Sequence, residues 1–285
     1  MALNLALQNE ATNLYAYIQS YKASFAYDGH GWFNGMGTAG DQWVAGNSTP
    51  SGQPTNVQYS AIMLMNDYSY EPGDFEGTVT ELSLGRNLVH NFTSDIYTQT
   101  NDLIITPGTG FLPATAAFQQ GIYALSHGGE LDGGSFEVAP GRPPITMLGL
   151  TDWFAEQGTN QTGSTGDDVL LSFAGDDVLT GNGSVDWDSF LWNADYYETV
   201  GVVSDANGVV KGWGDDVITD FVDGVDEIQI EGFGWADEVA FQAAGGSLSG
   251  NVISYVDAAL GVTSTITVNF NGAGSLGWDD IVFTA

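Results

Sequence analysis

The stretch Gly163-Ser164-Thr165-Gly166-Asp167-Asp168-Val169-Leu170-Leu171-Ser172-Phe173-Ala174-Gly175-Asp176-Asp177-Val178-Leu179-Thr180 decides how the second half of the chain is built. It holds Gly-Asp-Asp-Val twice, nine residues apart, and a third copy stands at 214–217. In a nine-residue frame Gly163, Gly166, Asp168 and Leu170 recur as Ser172, Gly175, Asp177 and Leu179. Roughly six residues of each unit form a turn whose glycines allow backbone carbonyls to face inward. The second Asp supplies a carboxylate, and the apolar residue two positions later points into the interior. Strands this short cannot stand alone, so successive turns must stack, and stacked carboxylates call for divalent cations between them. Hard oxygen donors favour calcium. Gly163, Gly166, Asp168, Ser172, Gly175 and Asp177 are therefore candidate calcium ligands. For the third rung, strict period nine selects Ser184 and Asp186, whereas an insertion of two residues selects Asp188, with apolar Phe190 after it. Both alternatives stand on sequence. Asp216 in the third copy, and Asp220 and Asp223 beyond it, are further candidates that suit solvated turns equally well.

The pattern resembles the RTX nonapeptide, Gly-Gly-x-Gly-x-Asp-x-U-x, with U a large apolar residue. The run Thr219-Asp220-Phe221-Val222-Asp223-Gly224-Val225-Asp226 resembles the flank that follows such repeats. Ile253-Ser254-Tyr255, Thr265-Ile266-Thr267-Val268 and Gly277 to Ala285 look like the closing strands of RTX proteins. The resemblance implies a parallel β-roll folded by calcium, and export by a type I system that reads the C-terminus. It places the protein at the cell surface or outside the cell. Met1-Ala2-Leu3-Asn4-Leu5 has neither a basic n-region nor a sustained apolar run, so it does not read as a secretory signal peptide.

Charge narrows the partners. Four Lys+Arg against 36 Asp+Glu give a net charge of −32, too anionic to bind a nucleic-acid phosphate backbone or an anionic membrane surface. No stretch approaches the roughly 18 uninterrupted apolar residues of a membrane helix, so membrane insertion is not expected. Hydrophobic residues at 43% and aromatics at 12% mark a folding sequence and not an acidic disordered tail. Without cysteine there is no disulfide and no thiolate chemistry. The sequence has no Gly-x-Ser-x-Gly, no His-Glu-x-x-His and no phosphate-binding loop, and the expectation is a protein that is not an enzyme.

The first half has a different texture. Leu14, Tyr17, Ile18, Tyr21 and Phe25 fall at helical spacing over residues 13–25, and Ala114 to Ser126 is a second helix candidate ended by Gly128-Gly129. Gln58 to Leu64 and Thr78 to Leu84 look like strands. Glycines and prolines between 133 and 144 put a domain junction between about 144 and 163, giving domains 1–150 and 160–285.

Over roughly residues 13–130 the chain resembles the HasA-type hemophores, small secreted heme carriers. The residues that carry the likeness are the helix ending Lys22-Ala23-Ser24-Phe25, the loop with His30, the strand Val57 to Tyr68, Glu71-Pro72, the run Phe75 to Gly85, and Phe118 to Gly129. The resemblance implies an α+β domain, a curved antiparallel sheet with helices, with His30 and Tyr68 as axial ligands of a ferric heme. Asp74 stands near the place where the family carries a histidine beside its tyrosine. The fold expected is thus an α+β hemophore-like domain followed by an all-β RTX parallel β-roll and C-terminal β-strands. Two functions follow: calcium-dependent extracellular heme acquisition, with an outer-membrane receptor as partner, or self-association into a calcium-bridged filament, matrix or surface layer.

Overall fold

The computed structural model describes residues 2–25, 32–33, 42–51, 58–71, 74–136, 141–183, 185–197, 212–258 and 261–285. The chain divides into two compact units, residues 3–11 with 16–153, and residues 2 and 12–15 with 154–285. Its helices are short: α1 (Leu14–Ser24), α2 (Ala116–Gly128), α3 (Leu150–Gln157) and α4 (Glu238–Ala243). Among the described residues no helix is long and apolar enough to cross a membrane.

The first unit contains β1 (Leu3–Leu7), β2 (Trp32–Phe33), β3 (Gln42–Ala45), β4 (Thr49–Pro50), β5 (Tyr59–Glu71), β6 (Asp74–Asn91), β7 (Ile96–Pro107) and a hairpin of β8 (Gly133–Phe136) and β9 (Ile145–Leu148). Its main sheet runs β1–β7–β6–β5–β3–β2, antiparallel throughout, with β4 parallel to β6. Alternation writes β1: Leu3, Leu5 and Leu7 are buried, while Asn4 Nδ2 donates to the Pro107 carbonyl at 3.1 Å. Leu5 lies opposite Ile105, and Leu84 opposite Leu103. Tyr17 and Tyr21 of α1 each pack a ring 5.1 Å from that of Tyr59. The helix α2 starts at Thr115, whose hydroxyl caps the Phe118 N–H, and stops at Gly129 in the left-handed region, φ 68°.

The expected α+β character of this half is overturned. Strands of 13, 18 and 12 residues (β5, β6, β7) outweigh helices of 11 and 13. The polar stretch after Met65, which breaks the apolar pattern, stays in the sheet because bulges absorb it: the β5–β6 register slips between Leu64 and Met65 and again between Asn66 and Ser69. Two short strands in the sequence thereby become one long hairpin.

The second unit contains β10 (Thr159–Thr162), β11 (Val169–Leu171), β12 (Val178–Thr180), β13 (Ser189–Asn193), β14 (Asp215–Phe221), β15 (Glu227–Glu231), β16 (Gly246–Ser249), β17 (Val252–Asp257), β18 (Val262–Phe270) and β19 (Ile281–Thr284). From β10 to β15 successive strands alternate between two ladders. One is β10–β12–β14–β18, parallel, finished by the antiparallel pairs β18–β17 and β17–β16; the other is β11–β13–β15–β19, parallel. The expected RTX β-roll is not formed as a regular repeat. Only two units share the nine-residue frame, and later turns carry inserts. Asn160 therefore pairs with Val178, Val178 with Val217, and Val217 with Thr267, each step longer than the last. What survives of the repeat is its interior. Leu170, Leu179, Phe190, Ile218 and Ile228, each two residues after an Asp, are fully buried. Buried Trp213, Trp235 and Phe241 form an aromatic cluster with half-buried Tyr255, where Gly246 lets the Phe241 ring lie on strand backbone.

Candidate functional site

Each strand that follows a Gly-Asp-Asp or Asp-x-apolar turn begins beside a buried aspartate, and these aspartates form two columns. Asp168, Asp188 and Asp226 make the first, Asp177 and Asp216 the second; all five are buried. Within a column one carboxylate oxygen accepts the N–H of the residue one rung earlier. Asp188 Oδ1 takes Asp168 N (3.1 Å) and Asp226 Oδ1 takes Asp188 N (3.0 Å). Asp177 Oδ1 takes Thr159 N (2.6 Å) and Asp216 Oδ1 takes Asp177 N (2.8 Å). In three of the five the second oxygen closes its own turn, accepting at 2.7 Å from Ser164 N in Asp168, from Phe173 N in Asp177 and from Val222 N in Asp226.

The first Asp of the motif works in the opposite direction. Asp167 Oδ1 accepts Trp187 N, and Asp176 Oδ1 accepts Asp215 N, both at 3.0 Å and both from the next rung of the same ladder. Gly-Asp-Asp-Val is thus a reciprocal staple, one carboxylate reaching back and its neighbour receiving from ahead. The sequence reading missed this use of Asp167 and Asp176. The doubling of the acid in all three copies was the available signal.

The third-rung alternatives separate in the structure. Asp188 lies one residue before the Val169–Ser189 register pair, at the level of Asp168, and is buried; Asp186 is half-buried beside Gly183. Ser184 lies outside the described residues. Gly163 and Gly181 border the first column: a β-carbon on Gly163 would strike the Gly181 carbonyl and Asp168 Oδ2, and one on Gly181 would strike Asp188 Oδ2. Gly166 stands in open space near Ser164 Oγ, and the Gly175 carbonyl abuts Gly214. Ser172 is buried in the second column. Asp220 accepts from Gly181 N (2.9 Å) and Asn182 N (2.8 Å), and Asp223 from Ser275 N (3.2 Å).

Electrostatically the columns are costly. Burial, followed by repulsion from Asp226, Asp168 and Asp220, raises Asp188 to about 7. Burial first, then Asp167 and Asp186, raises Asp168; burial, then Asp220 and Asp186, raises Asp226. The described residues of the second unit include no Lys, Arg or His, and Lys211 lies outside them. Asp168 Oδ1 is buried with no hydrogen-bond partner. Among the described residues no three acidic or histidine side chains are gathered in ligating geometry. A cation here would draw its remaining ligands from turn carbonyls, which calcium accepts.

Of the expected heme ligands only Tyr68 falls among the described residues. His30 lies outside the described residues; Tyr68 is on β5, in the bulge between Asn66 and Ser69. The other histidines are engaged locally. The His90 ring stacks on Tyr97 (4.1 Å) with Nε2 2.8 Å from Asp95 Oδ1, and the His127 ring stacks on Tyr123 (3.9 Å). No family model matches the chain, and no curated protein matches it significantly.

Proposed function

We propose that this chain is a calcium-binding protein that works outside the cell, its second unit completed by divalent ions on the column Asp168–Asp188–Asp226. One atom supports the reading above all: Asp168 Oδ1, buried and unpartnered, in a column of carboxylates to which the described residues bring no positive charge. Leaving a buried acceptor unmade costs on the order of 1–3 kcal/mol, more for a charged group. Calcium takes about six to eight oxygens in tolerant geometry, which suits carboxylates supplemented by the carbonyls of Gly163 and Gly181. Asp186 and Asp220 add charge nearby. Export before the ions are met would keep so anionic a chain open until it arrives where calcium is plentiful.

Calorimetric titration of the full chain with calcium tests the reading. Asp168→Asn and Asp188→Asn should each weaken binding by about tenfold or more, roughly 1.4 kcal/mol. A titration without heat, together with the same melting curve in chelator and in calcium, would set the reading aside.

A further inference from the structure

The ladder β11–β13–β15–β19 ends differently on its two sides. At the first edge Asn13 forms a parallel bridge to Val169, so β11 is met there. At the last edge β19 pairs with β15, and no described residue pairs with its other side. Which backbone groups face outward follows from the register. Gly232 N donates to the Thr284 carbonyl at 2.8 Å, so Thr284 turns its N–H and C=O toward β15, as Val282 does two residues earlier. The residues between turn theirs away. Ile281, Phe283 and Ala285 therefore face outward, and the Ile281 N–H is already bonded to the Trp278 carbonyl. That leaves the Ile281 carbonyl, both groups of Phe283 and the Ala285 N–H.

This set is its own complement. Lay a second copy antiparallel against it, on a two-fold axis through Phe283. Each Phe283 N–H then meets the other copy's Phe283 carbonyl, and each Ala285 N–H meets the other copy's Ile281 carbonyl. Val282 of one copy stands beside Thr284 of the other, and both are exposed.

Sequence and packing suit the role. Ile281-Val282-Phe283-Thr284 consists of strand formers and has none of the charges, prolines or bulges that blunt an edge. The strand is fixed from behind, where the Phe283 ring packs 5.3 Å from that of Phe241. Charge selects where copies of so acidic a chain can touch. At a net charge of −32 most facing surfaces repel. No side chain from 281 to 285 is charged, and Asp279 and Asp280 fall outside the paired segment. The edge strand β16 is poorer, with a glycine and two serines in four residues.

We propose that β19 is a docking edge for a second copy of this chain, closing a two-fold dimer by antiparallel β19–β19 pairing centred on Phe283. Isologous pairing uses up the edge, so the assembly stops at two. So short an edge buries little area, which makes the dimer weak, and salt that screens the two copies strengthens it. The inference does not rest on the calcium reading.

Sedimentation equilibrium of the full chain in calcium and high salt, carried to roughly 1 mM, should show monomer passing to dimer and no further. The double variant Val282→Glu, Thr284→Glu sets like charges opposite each other at both ends and should raise the dissociation constant about tenfold or more. Mixing it with Val282→Lys, Thr284→Lys should restore pairing, as a heterodimer. Both positions are exposed, so circular dichroism should show the fold intact. Should a variant misfold, amide exchange on the unmodified chain decides: protection of residues 281–285 should rise with concentration while that of β16 stays level. Monomer throughout, larger assemblies, or dimers indifferent to the glutamates overturn the proposal.

Discussion

The two units bury carboxylates in opposite ways. In the first, Asp102 is fully buried in the sheet and clamped by Arg86, whose Nε and Nη2 reach its oxygens at 3.1–3.2 Å while Nη1 holds Glu10 at 2.9 Å. Asp152 is buried there too, with Oδ2 on Gly149 N at 2.7 Å. In the second, five column aspartates are buried and the described residues offer only N–H and O–H dipoles. For Asp102 the first unit carries the counter-charge in its own sequence, whereas burial raises Asp152, which has only the Gly149 N–H to lower it, to about 6. The second has no cation among its described residues, and on the proposed reading the counter-charge comes from solution. Folding of the first should therefore ignore calcium, and folding of the second should follow it.

The largest effect should come from breaking the internal pair. Arg86→Met strands a buried Asp102 and should cost about 3–5 kcal/mol, read by denaturant unfolding. Adding Asp102→Leu should recover much of it, and if the double variant is no better, the loss lies in packing and not in charge. Next comes metal. Calcium at about a hundred times its dissociation constant should stabilise the second unit by about 2.7 kcal/mol per site, seen as a chelator-sensitive melting transition beside an insensitive one. A single transition moving as a whole would erase the contrast between the units.

Acid should act next, and more on the second unit than on the first, where burial raises Asp152 to about 6. Asp177 is raised in the folded state, so its contribution is complete below the unfolded value near 4 and is lost as pH climbs through about 7. In chelator the second transition should lie several degrees higher at pH 5.5 than at pH 8; the reverse order would mean that Asp177 is ionised when folded. The smallest effect belongs to the outer staples. Asp167→Ala removes one exposed-edge hydrogen bond from Trp187 N and should cost about 1 kcal/mol, measured by the same melts, with calcium stoichiometry unchanged.

Much of this contrast was legible in the sequence, unevenly. The Asp-x-apolar rhythm located Leu170 and Leu179 inside, and Leu14, Tyr17, Ile18 and Tyr21 located α1. The length of the third-rung insert was not legible, because Asp186 and Asp188 satisfy the local pattern equally and only the register with Val169 separates them. Nor were the partners of Asp177 and Asp216. Thr159, Trp192 and Tyr197 arrive from other rungs, and the third Gly-Asp-Asp-Val lies far along the chain from the rung it stacks on. The Arg86–Asp102 pair joins adjacent strands of a hairpin whose bulges shift the register, so no fixed spacing announces it. The α+β and regular-roll expectations failed for a related reason: local periodicity reports where an element begins, not how far bulges and inserts carry it.

Because β10 to β15 fall on the two ladders in turn, the architecture counts in even and odd. Excising one nonapeptide would send each strand up to β15 to the wrong wall, exchanging partners along both. Excising two would keep every survivor on its own side. Lineages of such a chain are thus free to grow or shrink here by doublets, and a lone deletion is the edit they cannot keep.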